Sequence, residues 1–201
     1  MKKFILFPVL ILFALPLIDA VPDSVVTGPY NVSFDLGLSS NDYKINIADP
    51  KTIETLNGAK RTDYSIEIRS TTDSFHSATI IIRYFEEELP IATGSDLELG
   101  LKSVDKDNPN VSDFRSDTRT IDGARGAVAS MRYKYESDIF YAIYRALFDP
   151  KDTIDLYHAG YQAPFDPMHT MVEITSYFPW DNGTLNLLKT IHVTINDTSL
   201  S

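Results

Sequence analysis

The sequence predicts an α+β domain, an antiparallel sheet flanked by helices, and three observations carry that prediction. Segments that alternate apolar and polar residues, broken by turn signals, recur along most of the chain. Ala78 to Phe85 (ATIIIRYF) has no polar side until Arg83, which suits a strand near the middle of a sheet, covered on both faces. Met171 to Val193 joins a strand, Pro179 and an amphipathic helical stripe, so the helix folds back onto the sheet that holds its own preceding strand.

Residues 21–29 read as an N-terminal tether, 30–195 as one domain and 196–201 as a tail. Val32, Phe34, Leu36 and Leu38 alternate with Asn31, Ser33, Asp35 and Gly37, a half-buried strand, and Tyr43, Ile45 and Ile47 repeat the pattern. Thr52–Leu56 and Ala59–Arg69 flank Asn57-Gly58, which predicts a two-residue hairpin turn because both central positions need positive φ. Ser95 and Glu98 have capping-box spacing, and Leu97, Leu101 and Val104 share a helical face, which predicts a short helix. The alternation of Leu97, Leu99 and Leu101 is the competing strand reading. Asp105 to Asp113 follows as a polar loop.

Asp122-Gly123 is the second hairpin turn, joining Arg115–Ile121 to Ala124–Tyr135. Ala127, Ala129, Met131, Tyr133 and Tyr135 share one face, and the small residues at its start leave room for a helix. Ile139 to Phe148 reads as a further central strand, with a buried helix as the alternative. Val172, Ile174, Ser176 and Phe178 form one face of the last strand, which Pro179 ends. Asp181 is then the expected N-cap, Trp180 and Leu185 a hydrophobic staple, and Leu185, Leu188 and Ile191, with Leu187 beside them, the buried stripe.

Met1-Lys2-Lys3, the apolar run Phe4 to Ile18 and the small Ala20 have the layout of a secretory signal over residues 1–20. An uncleaved anchor is the competing reading, but the run holds Pro8 and Pro16 and falls short of the roughly 20 residues of a spanning helix. Export places the protein outside the cytoplasm, secreted or at the cell surface, with no stable membrane span after cleavage. With no cysteine the domain relies on its core, for which 11 Phe and 11 Tyr provide large surfaces. A net charge of −10 argues against nucleic acid and anionic lipid as partners.

The meander of hairpins, the helix midway, the long loop and the closing strand-Pro-Trp-helix unit resemble the PsbP-like fold. That is an α/β/α sandwich shared by the extrinsic photosystem II protein and Ran-binding Mog-type proteins. Ile121-Asp-Gly-Ala-Arg-Gly126 and Leu187-Leu-Lys-Thr-Ile191 carry the resemblance. Tyr177-Phe-Pro-Trp-Asp181 and Leu187 to His192 also resemble exported proteins of methanogenic archaea. The resemblance implies a binding or assembly subunit and brings no catalytic residue with it.

Chemistry leaves few marks. There is no G-x-S-x-G, no cysteine and no Gly-rich phosphate loop. His76, His158, His169 and His192 lack zinc spacing, so neither a metal nor any other cofactor is expected. His192 is expected at the end of the last helix, where a cation is favoured. Asp105, Asp107, Asn108 and Asn110 have calcium-like steps, but Pro109 interrupts them and the glycine and distal glutamate are missing. Asp149 to His169 is longer than usual connections, and its Tyr157, His158, Tyr161, Phe165 and His169, with Trp180, form the candidate ligand or partner surface. Sequons fall at Asn31, Asn110, Asn182 and Asn196, of which Asn110 and Asn196 are the better acceptors. The reading is a non-catalytic exported binding or assembly module whose partner is a protein or small ligand at the cell envelope. A small-ligand or cation-binding protein using residues 149–169 is the alternative, and a hydrolase the third.

Overall fold

Thirteen elements make up the computed structural model, which describes residues 23–54, 58–73, 75–87, 93–134, 140–148, 170–177 and 183–196. The strands are β1 (Asp23–Thr27), β2 (Tyr30–Phe34), β3 (Tyr43–Ile47), β4 (Lys51–Glu54), β5 (Lys60–Ser70) and β6 (Ser77–Phe85). After α1 (Gly94–Asp105) come β7 (Val111–Ile121), β8 (Ala124–Lys134), β9 (Phe140–Phe148) and β10 (Thr170–Ser176). The closing pair is α2 (Leu185–Thr190) and β11 (His192–Ile195).

Eight strands form one antiparallel sheet, ordered β3-β5-β6-β10-β9-β8-β7 with β4 also on β5. The last strand of the meander thus returns to lie between β6 and β9, and β6 sits near the middle as its composition predicts. Its far side is only half-buried, however: Ala78, Ile80 and Ile82 are buried, whereas Thr79, Ile81 and Arg83 are intermediate. Above the buried side lies a second sheet, β1-β2-β11. Val25, Val32 and Phe34 of that sheet meet Ile66, Ile68, Ile80, Ile82, Val172, Ile174 and Phe148 of the large one in a single core. α2 adds Leu187, Leu188 and Ile191 to the same core. Buried Tyr30 stacks edge-on against Tyr64 with ring centroids 5.4 Å apart, and its hydroxyl meets Thr170 Oγ1 at 3.2 Å.

A smaller core lies on the opposite face. There Leu97 and Leu101 of α1 pack on Ala127, Ala129 and Met131 of β8, the small-residue face expected to admit a helix. Strand alternation separates these residues from Ala124 and Val128, which belong to the larger core.

The α+β class therefore stands in coarse form, a mostly antiparallel β fold with two short helices among the described residues. The expected flanking helix layer is, over most of the larger core, a three-stranded sheet. Two expectations change with it. The tether is β1, whose register runs from Asp23 opposite Phe34 to Thr27 opposite Tyr30. The last helix stops at Thr190, and His192 to Ile195 pair with β2 instead. The reason is local: Val25, Val26, Thr27, Val193, Thr194 and Ile195 are β-branched and lose less in a strand than in a helix.

Turns divide similarly. Asp122-Gly123 closes a two-residue hairpin with Ile121 opposite Ala124 and φ of 52° and 72°, as expected. Glu54 lies opposite Lys60, a register one residue off what a two-residue Asn57-Gly58 turn produces. α1 is helical rather than a strand, but its capping box is Thr93 with Asp96, not Ser95 with Glu98. Asp105 is the buried last residue of α1 and Asp113 lies within β7, so the polar loop shrinks to residues 106–110. Asn108 Oδ1 there accepts the Asn110 amide at 3.0 Å, an Asx turn that leads the loop into β7. Asp181 and Trp180, with the cap and staple expected of them, lie outside the described residues.

Candidate functional site

A cleft of about 520 Å³ opens where the β7–β8 turn meets the end of α2 and the start of β11. Ile121, Val128, Leu188 and Ile191 form its aliphatic floor, and Arg119, Lys189, Asp122 and His192 stand around it. Each side is built by an ordinary local rule. The positive φ of Asp122, tolerated by a short polar side chain, turns its carboxylate toward β11 rather than along its own hairpin. One oxygen meets His192 Nδ1 at 2.6 Å; the other accepts the Val193 amide at 2.9 Å. The Asp122 side chain is 8% exposed and that of His192 60%, so the acid is anchored while the ring looks outward.

The opposite wall is held from below. Thr190 Oγ1 accepts the Asp35 amide at 2.8 Å and donates to Asn186 O at 2.7 Å, fixing the end of α2 to the end of β2. Buried Ser176 and Thr184 share a 2.8 Å hydroxyl contact that ties the end of β10 to the entry of α2. Leu185 is half-buried rather than part of the closed core, while Leu187 is fully buried. The helical stripe thus centres on Leu187, Leu188 and Ile191, one step round from the expected Leu185, because the last turn faces both β2 and the cleft.

A His–Asp pair of this geometry is also how a general base is oriented. No hydroxyl or second acid reaches the His192 ring among the described residues. His192 is not the helix-end cation expected from the sequence; it is the first residue of β11, and its partner is an acid from a hairpin 70 residues away.

A second charged group sits on the half-buried far face of the large sheet. Arg61 Nε meets Asp63 at 2.8 Å, Arg83 Nε approaches the same oxygen at 3.9 Å, and Arg83 also pairs with Glu173. Two guanidinium groups and two carboxylates cancel there, and neighbouring strands bring them together in register, so the cluster is explained by pairing of the strands.

Tyr157, His158, Tyr161, Phe165, His169 and Trp180 lie outside the described residues, as does Asn182. Asn110 is exposed at the start of the β7 edge; Asn196 and Asn31 are half-exposed, and Asn31 Oδ1 accepts the Ser24 hydroxyl at 2.8 Å. No group of three or more metal-ligating side chains occurs among the described residues, and no helix there is long and apolar enough to cross a membrane. The chain matches no protein-family model, no curated protein and no solved structure.

Proposed function

We propose that the protein is an exported, non-catalytic binding or assembly module of the cell envelope, and that it takes an anionic group with an apolar neighbour into the cleft beside the Asp122-Gly123 turn. One observation carries this reading. In a chain of net charge −10, Arg119 and Lys189, with the His192 ring beside them, stand around the aliphatic floor of a cleft of about 520 Å³. Cationic side chains at a concave site focus the field on anions, and an apolar floor with a few polar groups is the composition of a ligand site. Binding is favoured over hydrolysis because, among the described residues, no hydroxyl or second acid reaches the His192 ring.

The PsbP-like resemblance supports the same reading through the order of its hairpins, the helix midway and the closing strand-helix unit. The secretory layout of residues 1–20 supports export. The alternative, a small-ligand or cation site built from residues 149–169 and Trp180, rests on the aromatic content of that loop.

The test is an amide-shift titration of the chain from Val21 with hexanoate, which carries a carboxylate on an apolar tail. The amides of Asp122, Thr190 and Val193 should move together and saturate, and Lys189→Glu should abolish the effect. Equal shifts with hexylammonium, or none at these amides, would overturn the assignment. N-terminal sequencing of the exported chain should begin at Val21.

A further inference from the structure

We infer that two copies of this chain join edge to edge along β7, antiparallel, about a two-fold axis at Thr118. Among the described residues, β7 is the outer strand of the large sheet and pairs only with β8. Arg115 and the run Asp117 to Thr120 are exposed. A bulge between Ser112 and Arg115, with Asp113 at a φ of 53°, ends regular pairing at one end, and the Asp122-Gly123 turn ends it at the other. The regular stretch is Arg115–Ile121, and Thr118 is its midpoint.

Backbone geometry sets which groups are open. In a two-residue hairpin the residues flanking the turn exchange hydrogen bonds with each other, here Ile121 with Ala124. Alternation then turns the N–H and C=O groups of Ser116, Thr118 and Thr120 away from β8. An axis at Thr118 sets these residues opposite one another in the two copies, Thr118 against the partner's Thr118 and Ser116 against the partner's Thr120.

Side-chain charge selects this register. Asp117 lies opposite the partner's Arg119, and Arg119 opposite the partner's Asp117. An axis one residue earlier would set Asp117 against itself and Arg115 against the partner's Arg119, and like charges directly opposite are destabilising. Edges guarded against pairing carry proline, charges or a bulge. Arg115–Ile121 has no proline, its bulge lies outside the regular run, and the alternating signs of its charges are their own complement. α1 stands over β7 and β8 on the face opposite Asp117 and Arg119, and no described residue covers the outer edge of β7.

Sedimentation of the chain from Val21 tests the inference. Dimers should form with rising concentration and weaken with salt. Asp117→Arg and Arg119→Asp should each leave monomer, and the double swap should restore the dimer. Thr118→Cys introduces the sole cysteine, and it should oxidise to a covalent dimer, whereas Arg115→Cys should not. Circular dichroism confirms that each variant folds. A wild-type chain monomeric up to its solubility limit, a dimer unaffected by either single reversal, or failure of the swap to rescue would overturn the inference.

Discussion

Asp122 is where one side chain joins two distant parts of the fold, and its removal has a magnitude that can be worked from its contacts. In Asp122→Ala the amide of Val193 loses a charged acceptor, which costs about 1.5–3 kcal/mol. The contact with the exposed His192 ring adds only about 0.5 kcal/mol, as a surface pair does. Alanine held at a φ of 52° adds about 1 kcal/mol of left-handed strain. The expected total is about 3–4.5 kcal/mol, or a Tm lowered by roughly 10 °C for a domain of this size. Asp122→Gly loses the same bonds without the strain and should fall about 1 kcal/mol short of that. Asp122→Asn keeps one acceptor and tolerates the left-handed backbone, so it should cost about 1 kcal/mol. Urea denaturation of the three variants separates bond from strain. If Asp122→Ala lies within about 0.5 kcal/mol of wild type, the carboxylate does not hold β11 and the description of the cleft wall is wrong.

Three further outcomes are expected. Leu187→Ala, at a fully buried site, should cost about 2–5 kcal/mol, whereas Leu185→Ala at the half-buried cleft wall should cost under about 1.5 kcal/mol; equal losses in urea would mean the stripe is misassigned. Hydrogen bonds from Thr93 hold the Asp96 carboxyl below its ordinary value, and Lys102 and then Ser116 do the same for Glu98. Both folded values lie under the unfolded ones, so this stabilisation of α1 is complete above the usual carboxylate range and is lost as pH falls through the lowered values. Amide exchange in α1 should therefore quicken in acid, with less pH dependence in Asp96→Asn. In a host that glycosylates exported proteins, peptide mass analysis should find sugar at exposed Asn110 ahead of Asn31, whose side chain is bonded to Ser24 within a paired strand.

How far the fold was legible follows from the range of each signal. Period-two alternation found β2, β3, β5, β8 and β10 because the two faces of each differ within a few residues, whereas β6 was marked by its unbroken apolar run. The β7–β8 turn was equally plain, since Asp122-Gly123 provides both positive-φ positions locally. Asn57-Gly58 carries the same local signal, yet the observed register places Glu54 opposite Lys60, set by the pairing of β4 along β5. Short strands at the two chain ends were the hardest. Asp23–Thr27 sets Val25 and Val26 side by side instead of alternating, His192–Ile195 is only four residues long, and each pairs with β2. The helix layer was over-read for the same reason: a stripe ending at Ile191 looks the same in sequence whether the following residues continue it or turn back.

The cleft illustrates a different limit. In sequence Asp122 reads as a turn residue and His192 as a helix end, each explained fully by its neighbours. Nothing near either residue says that the other is 2.6 Å away, because that contact is created by β11 pairing with β2 while the β7–β8 turn projects from the far edge of the other sheet. A residue with a sufficient local role gives no sign of a second one. Yet the turn had a surplus: glycine at both central positions would make the same reversal, and an acid instead of a second glycine leaves a carboxylate that the backbone does not need. The two oxygens of that carboxylate go to the ring and the amide that begin β11, which is why the cleft depends on an aspartate rather than on the turn alone.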